Sequence, residues 1–342
     1  MIGIRVDSNS IIATGHIMRC LSIARAIRKL NYRVLFISAD ENPRKLLESS
    51  GFNFISLNTQ WNDLEQEEDI LISVLKKYEL KCLLIDSYHI TPKYLEDLRK
   101  HLKISYLDDM DLFLYPVDML INYNLCYDQF GYEKKYNQFT KLLLGTSYAP
   151  LREEFIGVSK KTTRRKVRNI LVTSGGTDND NVCGQIAKML FDQSEFDNVN
   201  IHVVVGKFFT YKEILIDLSK NCSNIVLHEN ANMSQLMQEC DIAVSAGGST
   251  LYELCSCGTP TILFSIAENQ QPICYSANQK GVAVYAGHYC YEVAEKIVKV
   301  AVLLDADKQK REELSNTASS LVDGKGAQRI AEALIYLAES HL

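Results

Sequence analysis

The sequence has no uninterrupted apolar stretch near the ~18 residues that span a bilayer, so no membrane-crossing helix is expected. It has no excess of positive charge. Its 37 Lys and Arg against 42 Asp and Glu give a formal net charge of −5, which excludes a nucleic-acid binder that works through a broad basic surface. Among ten cysteines there is no CxxC pair with zinc-like spacing, Cys255-x-Cys257 being the nearest approach. No GxGxxG follows the first strand-like segment and no GxxxxGK(S/T) occurs, so neither a dinucleotide fingerprint nor a Walker-type ATPase is supported. The chain opens on Ile2-Gly3-Ile4-Arg5-Val6 rather than on a charged head and an apolar signal segment. Cys20, Cys82, Cys183, Cys240, Cys255 and Cys274 fall inside apolar periodic segments, so reduced, buried thiols and a cytoplasmic location are expected.

What the sequence does have is alternation. Strand-like runs at Gly3–Val6, Val34–Ser38, Phe54–Leu57, Cys82–Asp86, Ile104–Leu107, Met119–Asn122 and Leu142–Leu144 are separated by helical patterns such as His16–Leu30. The pattern restarts at Asn169–Thr173 and continues through His202–Val205, Ile225–Leu227, Ile242–Ser245, Thr261–Phe264 and Val282–Tyr285. Helical stretches at Glu292–Leu304, Lys308–Leu321 and Ala327–Leu337 follow. A length of 342 exceeds the roughly 250–300 residues at which one core stops growing. The expected fold is therefore α/β, with two Rossmann-like domains facing across a cleft where the carboxyl ends of their strands bind ligand. The division expected is 1–158, a linker at 159–167, and 168–342 with its helical tail. The run from Lys160 to Arg168, six basic residues in nine, reads as solvated linker.

Polar residues at strand ends carry the candidate chemistry. Asp7 ends the first strand, and Thr14-Gly15-His16 opens the first helix, where Gly15 permits close approach and the helix start favours an anion. His16 there is suited to general-base work, or else it packs the first turn. The fourth strand ends Asp86-Ser87-Tyr88-His89. Asp108, Asp109 and Asp111 follow the fifth and read either as a divalent-cation site or as turn formers and helix caps. In the second half, Gly175-Gly176 and Gly247-Gly248-Ser249-Thr250 each lie between a strand and a helix, where exposed amides cradle phosphate oxygens. Glu253, early in the second of these helices, is placed to bind a ribose diol or to favour the helix dipole. Asn269 and Gln270 follow a strand end and suit sugar hydroxyls, or simply start a helix.

These residues together resemble the MurG-related GT-B superfamily of nucleotide-sugar enzymes, and more closely the PseG-type UDP-sugar hydrolases with the SpsG spore-coat proteins. The resemblance covers nearly the whole chain. It rests on Arg5-Val6-Asp7-Ser8, Gly15-His16-Ile17-Met18-Arg19, Ile85-Asp86-Ser87-Tyr88, Leu107-Asp108-Asp109, Leu151-Arg152-Glu153-Glu154-Phe155, Ser174–Asp178, Ser245–Glu253 and Glu268-Asn269-Gln270. Two departures from the family pattern occur: Ser87 stands where a histidine is expected, and Gly247-Gly248 replace small serine-like residues. The resemblance implies removal of UDP from UDP-2,4-diacetamido-2,4,6-trideoxy-β-L-altropyranose by water attack at the anomeric carbon, with inversion. It further implies His16, Tyr88 and Asn269 as catalytic residues. Substrate contacts are implied for Arg5, Asp7, Gly15, Arg19, Asp86, Gly175, Gly176, Gly247, Gly248, Ser249, Thr250, Glu253 and Gln270. No metal or cofactor is implied, and the expected partners are the UDP-sugar and UDP, without nucleic acid or membrane insertion. A transferase of the same fold would use the same donor motifs and replace water by an acceptor hydroxyl. A silent nucleotide-sugar binding protein would bind UDP without turnover.

Overall fold

A computed structural model describes residues 1–9, 15–206 and 208–340. The chain divides into two compact units, Met1–Arg152 with Lys325–Leu342, and Glu153–Gly324.

The first unit is built on seven parallel strands: β1 (Ile2–Val6), β2 (Val34–Ser38), β3 (Asn53–Ser56), β4 (Cys82–Asp86), β5 (Lys103–Leu107), β6 (Met119–Asn122) and β7 (Lys141–Leu144). Their order is β3-β2-β1-β4-β5-β6-β7, with Ile4 paired to both Phe36 and Leu84. Helices cover both faces, so β1, β2 and β4 are buried along their whole length, which is why they read as continuous apolar runs. Strand order reverses between β1 and β4, and their carboxyl ends form a switch point, the place where open α/β sheets bind ligands.

The last helix, Gly326–Glu339, corrects the expected division at 168–342. It packs on helix Gly15–Lys29 of the first unit, burying Ala327, Ile330, Ala331, Leu334 and Leu337. Gly326 permits the approach, because a Cβ there would lie 2.1 Å from Ala149 O. An apolar stripe announces that a helix has a partner without saying which one.

The second unit holds a six-stranded parallel sheet ordered β12-β10-β8-β13-β14-β15, from β8 (Asn169–Thr173), β10 (Asn200–Val204), β12 (Ile225–His228), β13 (Ile242–Ala246), β14 (Thr261–Ser265) and β15 (Val284–His288). A parallel pair, β9 (Thr177–Asp178) with β11 (Phe208–Phe209), stands apart from it. The last strand lies two residues later than Val282–Tyr285 because Val282 and Ala283 close the preceding turn through Ala277 O.

The basic run is not a solvated linker. Lys161 Nζ donates to Met237 O at 3.0 Å and Gln238 O at 2.7 Å, at the carboxyl end of helix Met233–Glu239. Burial pushes this ammonium down to about 8. Arg164 pairs with Asp241, Lys166 with Asp305, and Arg311 donates to the carbonyls of Arg164 and Arg165. The segment is strapped to the second unit by the same charges that suggested solvent.

Nine of the ten cysteines are buried and all are free, Cys290 being exposed. No helix among the described residues is long and apolar enough to cross a membrane.

Candidate active site

At the first unit's switch point, Asp86 ends β4 and is 2% exposed. His16, the second residue of helix Gly15–Lys29, brings Nδ1 to 2.5 Å from Asp86 Oδ1. One turn on, Arg19 donates Nε to Asp86 Oδ2 at 2.7 Å and Nη2 to Oδ1 at 2.6 Å. Burial alone would raise the Asp86 pKa, but the Arg19 guanidinium and the His16 ring outweigh it and hold the carboxyl well below the usual range. An ionised carboxylate accepts only, so Nδ1 of His16 carries the proton in this bond, and in the neutral ring Nε2 is the acceptor. Asp86 thereby sets the tautomer that a general base needs.

Tyr88 stands edge-on to His16, with ring centroids 4.6 Å apart. Its hydroxyl donates to Asp109 Oδ2 at 3.1 Å. Burial, reinforced by the Asp109 charge, pushes its pKa far up, so Tyr88 stays neutral. Asp7, His16, Asp86, Ser87, Tyr88 and His89 line a cavity of ≈ 20 Å³, about the space one water requires.

In the second unit the two glycine pairs differ. Gly175 lies at φ +92 and donates its amide to Thr173 Oγ1. A Cβ on Gly206 would lie 2.6 Å from the carbonyls of Gly175 and Gly176, so this turn is packed against Gly206. The following helix, Val182–Phe191, already has an anion at its start: Asp178 accepts from the amides of Val182 (2.7 Å) and Cys183 (2.9 Å).

Helix Thr250–Cys257 has no such cap. Ser249 at its N-cap makes no capping bond, and the Ser249 and Thr250 amides donate no hydrogen bond among the described residues. Gly248 leaves the approach open, since a Cβ there would meet nothing within 4 Å. Gly247 is required for a different reason: its Cβ would lie 2.1 Å from Cys274 Sγ. Gly247→Ala is therefore expected to cost about 1–3 kcal/mol through overpacking. Thermal unfolding checks it, and Cys274→Ala in the same chain should recover most of the loss. Asn269 is exposed, while Gln270 Oε1 accepts from the Ile266 amide at 2.9 Å and closes the turn after β14.

Residues 169–334 match the glycosyltransferase family 28 C-terminal domain. The chain is 27% identical over 303 residues to the UDP-2,4-diacetamido-2,4,6-trideoxy-beta-L-altropyranose hydrolase of Campylobacter jejuni, covering 85% of this chain and 98% of that one. It is 27% identical over 297 residues to an uncharacterized protein of Methanocaldococcus jannaschii, covering 82% of this chain and 59% of the relative. It is also 25% identical over 205 residues to the spore coat polysaccharide biosynthesis protein SpsG of Bacillus subtilis, covering 59% of this chain and 60% of the relative. The match thus spans about six-tenths of the archaeal and Bacillus relatives and nearly all of the Campylobacter one. Among solved structures, Acinetobacter baumannii MurG superposes with a TM-score of 0.71 at 10% identity, covering 98% of this chain and 99% of that chain. The fold is that of the GT-B proteins, and the sequence is similar to PseG/SpsG-type proteins.

Within this chain the expected site residues fall into distinct groups. Asp7, Asp86, His16 and Tyr88 come together around one cavity. Arg5, expected to touch substrate, does not reach the surface: it is 0% exposed and clasps Glu67 with Nε (2.7 Å) and Nη2 (2.6 Å). Its remaining Nη1 holds Asp7 Oδ2 at 2.6 Å. Arg19 and Asp86, also expected at the substrate, spend their polar atoms on each other, on His16, and on Asp109 and Tyr123. They hold His16 directly, and Arg19 shares Asp109 with Tyr88. Gly15 is exposed with open space at its Cβ, and Thr14 lies outside the described residues. Asp178 occupies the helix start that follows the Gly175-Gly176 turn.

The acidic cluster is committed to the fold. Asp108 accepts from Tyr132 (2.5 Å) and Tyr115 (3.0 Å) and from the amides of Met110 and Asp111. Asp109 accepts from Arg19, Tyr88 and Asn124, and Asp111 pairs with Lys135. No group of three or more His, Cys, Asp and Glu able to hold a metal occurs among the described residues. Sequence reading missed Glu67, Asp109 and Asp178 as positioning residues. An arginine inside an otherwise apolar strand was the available signal for a buried anion, though nothing local pointed 62 residues ahead to Glu67.

Proposed function

We propose that this chain is a UDP-sugar hydrolase that releases UDP from UDP-2,4-diacetamido-2,4,6-trideoxy-β-L-altropyranose. The observation that carries the reading is the His16–Asp86 pair, with a proton-accepting Nε2 beside a cavity sized for one water. His16 takes a proton from that water as its oxygen bonds to the anomeric carbon. The bond from that carbon to the diphosphate oxygen breaks, UDP leaves with the electron pair, and the anomeric configuration inverts. The retaining route would require a positioned carboxylate nucleophile, and Asp86 is committed to Arg19 and His16.

UDP is a stabilised leaving group, so its departure needs charge stabilisation more than a strong acid. The uncapped start of helix Thr250–Cys257, with the amides of Ser249 and Thr250, supplies it. Glu253 in the first turn binds the ribose diol, and Asn269 and Gln270 bind sugar hydroxyls. Tyr88, kept neutral, holds the face of His16. The name of the Campylobacter relative supports the substrate, as the spore-coat relative supports a role in surface polysaccharide synthesis.

The test is NMR of a panel of UDP-sugars with the protein in water and no acceptor. The expected result is UDP release, with the inverted anomer of the free sugar appearing first. UDP appearing only after an acceptor is added would overturn the reading in favour of a transferase. Binding without turnover would make the chain a nucleotide-sugar binding protein.

A further inference from the structure

The sole tryptophan has no role in the chemistry above, yet it is held beside it. Trp61 lies in the turn after β3, at the same carboxyl edge as His16 and Asp86. It is half-buried, and its ring meets the exposed ring of His89 edge-on with centroids 5.0 Å apart. His89 lines the cavity that holds His16.

The turn is unusually well fixed for a surface aromatic. The Thr59 amide donates to Ala39 O at 2.9 Å, and Thr59 Oγ1 to Glu67 Oε2 at 3.4 Å. Downstream of Trp61, Leu64 is buried and Glu67 is clamped by Arg5 and by the Tyr94 hydroxyl at 2.7 Å. Thr91 Oγ1 donates to Glu65 Oε1 at 2.7 Å, tying the turn to the segment that follows His89. Arg5 also holds Asp7, so one buried arginine fixes a cavity wall and the loop that carries Trp61. Loop ordering of this kind costs conformational entropy, and a half-exposed indole does not need it in order to fold.

The cavity presents the carboxylates of Asp7 and Asp86 and the imidazole of His16 and, at ≈ 20 Å³, has no room for a sugar ring. A hexose that carries methyl, acetamido and C–H faces needs an apolar surface as well, and aromatic rings with one wet edge supply it. We propose that Trp61, backed by His89, is the wall against which the sugar moiety of the nucleotide-sugar rests, making Trp61 a specificity-determining residue for acetamido and deoxy sugars. This rests on the UDP-sugar reading of the same site and adds the residue that recognises the sugar.

A single tryptophan makes the test direct. Emission of the wild-type protein is titrated with UDP, UDP-glucose, UDP-N-acetylglucosamine and UDP-2,4-diacetamido-2,4,6-trideoxy-β-L-altropyranose, with calorimetry reporting binding independently. The acetamido sugar nucleotides are expected to shift the emission and UDP alone to leave it unchanged. In parallel, Trp61→Ala should raise KM for the diacetamido substrate by about tenfold, the scale of one aromatic contact. The loss should fall on KM rather than kcat, the UDP inhibition constant should stay unaltered, and Trp61→Phe should restore most of the affinity. Turnover with an unshifted emission and an unchanged KM in Trp61→Ala would overturn the inference and leave the hydrolase reading standing. An emission shift on binding without turnover would do the reverse. Absence of calorimetric binding by every UDP-sugar would overturn both.

Discussion

His16→Ala is expected to lower kcat by ~10²-fold or more, the contribution of a positioned general base, while UDP affinity stays within about twofold because UDP binding is assigned to the other unit. The expectation follows from tautomer geometry. Asp86, held ionised by Arg19, accepts the Nδ1 proton and leaves Nε2 to take one from water. Asp86→Asn is expected to produce a comparable loss, since an amide can donate to Nδ1 and stabilise the wrong tautomer. Single-turnover rates together with UDP titration check both variants. Unchanged turnover in His16→Ala would remove the residue from the mechanism and the water-activating role from the cavity.

The largest stability effect is expected at Glu67. Glu67→Ala strips Arg5 of its bidentate partner inside a unit where Arg5 is 0% exposed, and breaking a buried pair from one side costs about 3–5 kcal/mol. Thermal unfolding followed by Trp61 emission, which reports the first unit selectively, should show a midpoint lowered by roughly 10 °C. Replacing both partners by apolar residues, Arg5→Met with Glu67→Leu, should recover only part of the loss, because the buried Asp7 carboxylate then lacks Arg5. Stability restored without restored activity would separate the two roles of Arg5. Its charge balance concerns folding, and its hold on Asp7 and the Trp61 turn concerns the site.

Strand alternation was readable because buried parallel strands leave near-continuous apolar runs, and Cys82-Leu83-Leu84-Ile85 lies on β4 as such a run requires. The acid, imidazole and phenol at strand ends were readable for a related reason. Carboxyl ends of parallel strands are where polar residues interrupt an apolar pattern. What failed were inferences that depend on a partner far along the chain. The run from Lys160 to Arg168 looked solvated because Asp241, Asp305 and the helix end at Met237–Gln238 are distant in sequence. The glycine pairs looked alike because the carboxylate of Asp178, which fills one helix start, carries no local mark of doing so.

By itself, then, the sequence determined the α/β class, the pair of parallel sheets and the small set of residues around His16, since these follow from periodicity and from polar residues placed at strand ends. Only the tertiary structure decided which side chains hold one another. Arg5 is buried on Glu67 and Asp7, Arg19 and Asp86 are hydrogen-bonded to each other, and helix Gly326–Glu339 belongs to the first unit. The physical reason is common to all of these. A buried charge or an apolar helix face must find a complement, its own sequence states that requirement, and only the folded chain supplies the identity of the partner.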